Sequence, residues 1–221
     1  MDSPIILLSK FILLATYVVQ AVQIFLLKVP SAGSTVEMLR NVKVDQGVSR
    51  NHPAKQFLES ELKVVMMITA SAITALIFIL PLIAELFPVL TNYLLPLSPE
   101  PLSSFRLAGM LLLVVGNLVS TAAVFTLKRH VTFYEFGETK SLYTGGIYRF
   151  VRNPISTGLA AVYAGFFFYL PSVVMGVGFC IVMLNCELRI RMEEIYLELT
   201  FGDSYRPYKQ ITGKYFPKIR S

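Results

Sequence analysis

The chain has 221 residues, 54% of them hydrophobic and 15% charged, with a mean hydropathy of +0.61. That is too apolar for an ordinary soluble domain of this size, so the lipid bilayer is the expected solvent and partner. The net charge of +6 would point to nucleic acid in a soluble chain; here it matters only through the loops that hold the Lys and Arg, and no nucleic-acid partner is expected.

The N-terminus lacks the basic flank of a cleavable signal, and the apolar run at 5–27 is about twice the length of a signal core, so it reads as a retained first span. Lys10 lies near one end of it, where its stem can snorkel to the headgroups. The polar connection 28–63 carries Lys28, Arg40, Lys43, Arg50, Lys55 and Lys63. A second span is expected at 64–90, with Pro81 as a kink and Glu85 as its one acid. The linker 91–104 holds Pro96, Pro99 and Pro101 and no basic residue. A third span, 105–127, exits through Lys128, Arg129 and His130. The loop 130–154 is rich in Tyr, Gly and Arg, and after it the apolar segments 155–170 and 172–186 are separated only by Pro171. Together these two cover about 32 residues, more than one hydrocarbon core requires, which favours a hairpin of two helices. Cys180 and Cys186 lie in the second of them without a pairing framework or a CxxC spacing, so neither redox nor metal chemistry is expected.

Lys and Arg number six in 28–63, none in 91–104, five in 128–154 and seven from Arg189 to Arg220. By the positive-inside rule this alternation puts the N-terminus outside and the 28–63, 128–154 and C-terminal segments in the cytosol. The fold class is therefore all-α: a polytopic membrane protein of about five transmembrane helices, the last two a hairpin, followed by a cytosolic C-terminal helix that stops near Gly202. The tail with Tyr205, Pro207, Tyr208, Tyr215 and Pro217 is expected to fold back on the cytosolic surface. Residues 1–127 form an N-terminal membrane part and 128–221 the core that carries the chemistry. A bacterial inner membrane and the endoplasmic reticulum both suit this topology.

Two segments fall on the same face. In the first, Gly145 and Gly146 allow tight backbone geometry, and Pro154 opens a helix with Asn153 as its N-cap, leaving orphan N–H groups for a ligand carboxylate. In the second, Arg189 and Glu193 share one helical face at the membrane boundary, flanked by Glu194. On the residues alone, a ligand site and simple interfacial solvation stand equal, and Arg149 and Arg152 serve as well as phosphate anchors.

Gly146-x-Tyr148-x-x-x-Arg152-Asn153-Pro154-x-x-x-Gly158, then Glu193-Glu194, then Phe201-Gly202-x-x-Tyr205-x-x-Tyr208 resembles the isoprenylcysteine carboxyl methyltransferase and phospholipid methyltransferase family over roughly residues 125 to 215. The resemblance implies an integral membrane methyltransferase using S-adenosyl-L-methionine. It implies that Lys140, Ser141, Leu142, Tyr143, Tyr148, Asn153, Pro154, Ile155 and Ser156 line the cofactor pocket, that Glu193 holds a polar group of the cofactor, and that Arg189 faces the carboxylate of a lipophilic or prenylated substrate. Where family members often have Arg-His-Pro-x-Tyr, this chain has Asn153 and Ser156, and Asn cannot take up a proton.

These residue types suit methyl transfer. Aromatic faces such as Tyr143 and Tyr148 stabilise a sulfonium, and an acid such as Glu193 binds an ammonium or a ribose. A carboxylate acceptor needs no base and would be positioned by Arg189; a lipid amine or a thiol needs one, with Glu194 or His130 as catalytic candidates. Other readings are a phospholipid-amine or small-thiol methyltransferase, an NADPH-dependent membrane reductase and a non-enzymatic membrane scaffold.

Overall fold

A computed structural model describes residues 4–27, 61–97, 103–130 and 142–218. Among them the regular elements are all helical: α1 (Pro4–Leu27), α2 (Glu61–Leu86), a 3-10 segment (Pro88–Leu94), α3 (Ser103–His130), a short 3-10 turn (Gly146–Arg149), α4 (Pro154–Tyr169) and α5 (Val173–Ile211). Three stretches, Pro4–Leu26, Ser104–Leu127 and Val173–Ile195, are long and apolar enough to cross a bilayer; Ala72–Leu86 and Pro154–Tyr169 are shorter apolar helices. The chain is an integral membrane protein.

Two boundaries differ from the sequence expectation. The second span ends at Leu86 rather than near residue 90, because the ring of Pro88 disfavours helical backbone at Phe87, which sits at φ −129° and ψ 76°. The last two apolar segments are indeed separate helices joined by 170–172, and the second stops at Gly202 as expected, but a further helical stretch follows where only a tail was expected. The chain breaks there at φ 39° and ψ −106°, a conformation that suits glycine, and resumes helix to Ile211. Pro207 falls within a few residues of this restart, close to the N–H groups that a new helix leaves unbonded.

α1 shows how lipid shapes an element. Leu7, Phe11, Leu14, Val18, Val22 and Phe25 follow the three-four spacing and are exposed, while the opposite stripe buries Ser9, Leu13, Thr16, Gln20 and Gln23. Apolar side chains gain nothing by leaving hydrocarbon, so association rests on close packing and on polar groups that must find partners. Those partners are on α3: Gln20 Nε2 donates to Asn117 Oδ1 at 2.8 Å, Gln23 Nε2 to Thr121 Oγ1 at 2.7 Å, and Asn117 Nδ2 to Thr16 Oγ1 at 2.9 Å.

α3 and α4 pack closest of all. A Cβ on Gly116 would lie 2.6 Å from the carbonyl oxygen of Gly158, and one on Gly158 the same distance from the carbonyl of Gly116; Gly109 and Gly165 repeat the contact two turns away. Small residues at these positions let the two backbones touch. At the centre, Tyr17 stacks on Phe166 at 5.7 Å and meets Phe78 edge-on at 5.0 Å, joining α1, α2 and α4. The Tyr17 hydroxyl donates to the Phe78 carbonyl at 2.6 Å, three residues before Pro81 of α2. The end opposite the candidate site is closed by an isolated antiparallel bridge between Pro96 and Ser172, where the Leu97 N–H donates to Pro171 O and the Val173 N–H to Leu95 O. Glu85, read from sequence as a lone acid, takes the Tyr169 hydroxyl at 2.6 Å and lies 3.8 Å from Lys10.

Candidate active site

The loop before α4 is built on a glycine that no other residue replaces easily. Gly146 sits at φ +56°, and a Cβ there would press against Thr126 of α3 at 2.9 Å. This anchors the loop to the end of α3 and turns Tyr148 inward, where it is buried and its ring meets that of Tyr143 edge-on at 6.2 Å. Burial, and after it the charge of Glu193, pushes the Tyr148 phenol well above its ordinary value, so it stays neutral.

The tail folds back onto this loop. Arg152 N–H donates to Gly213 O at 2.8 Å and Asn153 N–H to Lys214 O at 3.3 Å, a short parallel bridge beside which the Tyr208 hydroxyl donates to Tyr148 O at 2.7 Å. The Arg152 side chain completes the closure. It donates to Glu194 Oε1 through Nε at 3.1 Å and Nη2 at 2.9 Å, and through Nη1 to Lys209 O at 2.9 Å and to Thr212 O. Lys209 Nζ lies 3.6 Å from Glu194 Oε2 and 3.1 Å from Glu198 Oε2. Two turns before Glu194, Glu187 takes Lys214 at 2.6 Å, Arg191 at 2.8 Å and the Tyr215 hydroxyl at 2.7 Å.

Glu187, Arg191, Glu194 and Glu198 recur at the three-four spacing and so form one face of α5, and every one of them is paired. Arg189 and Glu193 lie on the other side, about 200° and 240° around the helix from Glu187 at 3.6 residues per turn. Neither has a hydrogen bond or an ion pair within 4 Å among the described residues, and Arg189 Nε is buried with no partner. Glu193 is exposed.

The residues expected to act together therefore divide. Tyr143, Tyr148 and Glu193 converge, and Arg189 shares the face of Glu193 without pairing to it. Leu142 is half-buried, as are Ile155 and Ser156 in the first turn of α4, and Pro154 is buried at its first position. Lys140 and Ser141 lie outside the described residues, as does the side chain of His130. Glu194 points to the opposite face and both its oxygens face cations. Asn153 occupies the N-cap position but does not cap α4: with ψ at 57° its amide is drawn away and donates to Lys214 O at 3.3 Å, leaving the first turn without a side-chain cap. Sequence reasoning missed Arg152 as the hub of the closure and Glu187 as its second anchor. The spacing 187, 191, 194, 198 was the available signal for a charged face, but nothing local names its partners.

Residues 105–204, from α3 to just past the break in α5, match the family model for phospholipid methyltransferases. The match takes in a little under half of the chain. Within it lie the loop, the α3–α4 glycine contact, Arg152 and the whole charged part of α5 up to Glu198. The chain is also a distant homologue of isoprenylcysteine O-methyltransferases. It is 29% identical over 115 residues to protein-S-isoprenylcysteine O-methyltransferase A of Arabidopsis thaliana, covering 50% of this chain and 58% of that protein. The human protein-S-isoprenylcysteine O-methyltransferase is 30% identical over 116 residues, covering 51% of this chain and 41% of that protein. A probable enzyme of the same name from Oryza sativa subsp. indica is 29% identical over 115 residues, covering 60% of its length. The chain thus spans about half the length of the curated relatives it matches. No solved structure matches it significantly.

Proposed function

We propose that the chain transfers a methyl group from S-adenosyl-L-methionine to a membrane-associated acceptor, and that the acceptor atom is a carboxylate oxygen. The observation that carries this reading is the unpaired Arg189 and Glu193, set beside Tyr148, on a helix whose other charges are all satisfied. Arg189 is half-buried with its Nε unpartnered, which is costly, and the natural complement of such a charge is an anionic ligand; Glu193, exposed one turn further on, is free to meet a cationic one.

The donor set fits an amino-acid sulfonium. Glu193 is placed to take an ammonium or ribose hydroxyls, the neutral faces of Tyr143 and Tyr148 to lie against a cation, and the uncapped start of α4 at Ile155 and Ser156 to receive a carboxylate. When bound, S-adenosylmethionine supplies an electrophilic methyl; transfer forms an O–C bond as the S–C bond breaks, giving an ester and a neutral thioether with no proton to remove. Arg189 holds the anionic acceptor oxygen in line, and alignment is most of what such a reaction needs. Tyr208 and Arg152 keep the tail over the loop and so keep water from the site.

The family description favours a second reading, phospholipid amine methylation. That chemistry needs a base. Among the described residues the cytosolic-side carboxylates of Glu187, Glu194 and Glu198 carry cations, and Glu193 is taken up by the methyl donor, so a carboxylate acceptor is preferred. Glu194 is accordingly proposed as a strut and not a base. We place five helices across the bilayer with the N-terminus outside, residues 128–221 forming the catalytic core at the cytosolic face.

The test is methyl transfer from tritiated S-adenosylmethionine in proteoliposomes, followed by alkaline hydrolysis. A carboxyl ester releases volatile methanol. Label that stays in alkali-stable lipid would replace the carboxylate reading with the amine one.

A further inference from the structure

The closure of the tail over the loop buries Tyr148, Val151, Tyr208 and Thr212, yet their neighbours are left in the open: Phe150 is 58%, Ile211 57% and Phe216 77% exposed. These three side chains surround one bridge. Val151 pairs with Gly213, and the backbone of Phe216 and Lys218 curls back against that glycine. Two cations border them. Arg149 is exposed, with neither a hydrogen bond nor an ion pair among the described residues. Lys218 is exposed and its Nζ donates to the Gln210 carbonyl at 2.6 Å, a neutral group that leaves its charge uncompensated. No Asp or Glu occurs in 139–186 or in 204–221, the two stretches from which the closure is built. The acids that come near, Glu187, Glu194 and Glu198, belong to α5 and are taken by Lys214, Arg152 and Lys209.

The length of α4 sets the depth of this surface. Its 16 residues span about 24 Å at about 1.5 Å per residue, less than the roughly 30 Å of a hydrocarbon core. A helix shorter than the core brings its flanking residues to the headgroup boundary. Residues 149–153 directly precede α4, and the tail bonded to Arg152 and Asn153 shares their level. Exposed apolar side chains at that level meet acyl chains, and aromatic rings favour it. Cations there meet lipid phosphate.

We propose that the exposed side of the tail closure is a docking surface for anionic phospholipid of the cytosolic leaflet. Phe150, Ile211 and Phe216 enter the acyl boundary, and Arg149 and Lys218 meet the headgroups. A protein partner is the other occupant of an apolar surface ringed by cations, but at this depth it would first have to displace lipid. The assignment rests on the cytosolic placement proposed above and not on methyl transfer.

The chain has no Trp, so Phe216→Trp and Phe150→Trp each put a single fluorophore on this surface. Each variant is reconstituted in phosphatidylcholine vesicles that contain a minor fraction of either brominated phosphatidylglycerol or brominated phosphatidylcholine. Quenching by these lipids is compared with quenching by aqueous iodide. Both fluorophores are expected to be quenched by bromolipid and shielded from iodide, with the phosphatidylglycerol effective at about a fivefold lower mole fraction. Adding Arg149→Gln and Lys218→Gln should bring the two lipids to parity, and so should molar salt. The thermal midpoint in detergent should not change, since neither side chain has an ion pair to lose. Equal quenching by the two lipids before those substitutions overturns the anionic preference. Quenching by iodide alone, as in water, or by neither agent, as when a second copy covers the surface, overturns lipid docking. Both leaflets of these vesicles carry the brominated lipid, so the result is independent of the orientation of the chain.

Discussion

Arg152 is 9% exposed at its side chain and Glu194 13%, and between them they join the loop, the tail and α5. Removing one partner of such a pair leaves the other charge uncompensated, so Arg152→Ala is expected to cost about 3–5 kcal/mol, read as a fall in thermal midpoint in detergent. Glu194→Gln tests whether that acid is a strut. It should lower stability and leave the turnover of the folded fraction close to wild type, whereas a general base would lose on the order of 100-fold in kcat with stability unchanged. The sequence made the residue types at 189, 193 and 194 visible as candidates because charges at a membrane boundary are rare. It could not show which of them are already paired. The bonds of Arg152 reach 42, 57 and 60 residues along the chain, and no spacing rule encodes a partner at that distance.

Helices fare differently, since their length, apolarity and breaks are local properties. The spans at 5–27 and 105–127, and the turn at Pro171, were legible from hydrophobic run length and proline alone. The end of α2 was placed four residues late because apolar residues continue past the point where Pro88 stops the helix. The stop at Gly202 was legible from glycine alone; the helix that restarts after it and runs to Ile211 was not, because Pro207 in that stretch reads as a helix breaker. The glycines of α3 and α4 carry a prediction of their own: Gly158→Val places atoms against the Gly116 carbonyl and the Ser120 backbone nitrogen, neither of which can rotate away. Overpacking of this kind costs about 1–3 kcal/mol, seen as a lower midpoint and a shifted α4. By contrast Gln20→Leu, which removes one rung between α1 and α3, should cost no more than about 1–2 kcal/mol. The tail latch adds a pH dependence. Burial pushes the Tyr208 phenol from 10.0 up to about 12, so the folded state holds its proton more tightly than the unfolded chain. Its contribution is full below pH 10 and is lost as pH rises toward 12. The chain has no Trp, so phenolate absorbance at 295 nm follows this directly, and Tyr208→Phe should remove the component titrating near 12.

At the scale of the molecule, the alternation of basic and basic-free loops gives an orientation that a labelling experiment can check. Cysteine placed at Ser104 should react with a membrane-impermeant maleimide added outside intact cells, and cysteine at Asp203 only after the membrane is opened. The reverse pattern would invert the topology and move the site to the outer face. One face of α5 is neutralised largely by the tail, while Arg189 and Glu193 on its other side have no partner among the described residues; the proposed function assigns that side to the ligand. The measurement that bears most directly on this account is calorimetric titration of the detergent-purified protein with S-adenosylhomocysteine, wild type against Glu193→Ala. Saturable micromolar binding that weakens roughly 10- to 100-fold in the variant, as loss of a hydrogen bond to a charged group should produce, is the expected result. Folded wild-type protein that shows no binding at millimolar ligand, or a Glu193→Ala variant that binds as wild type does, would contradict it.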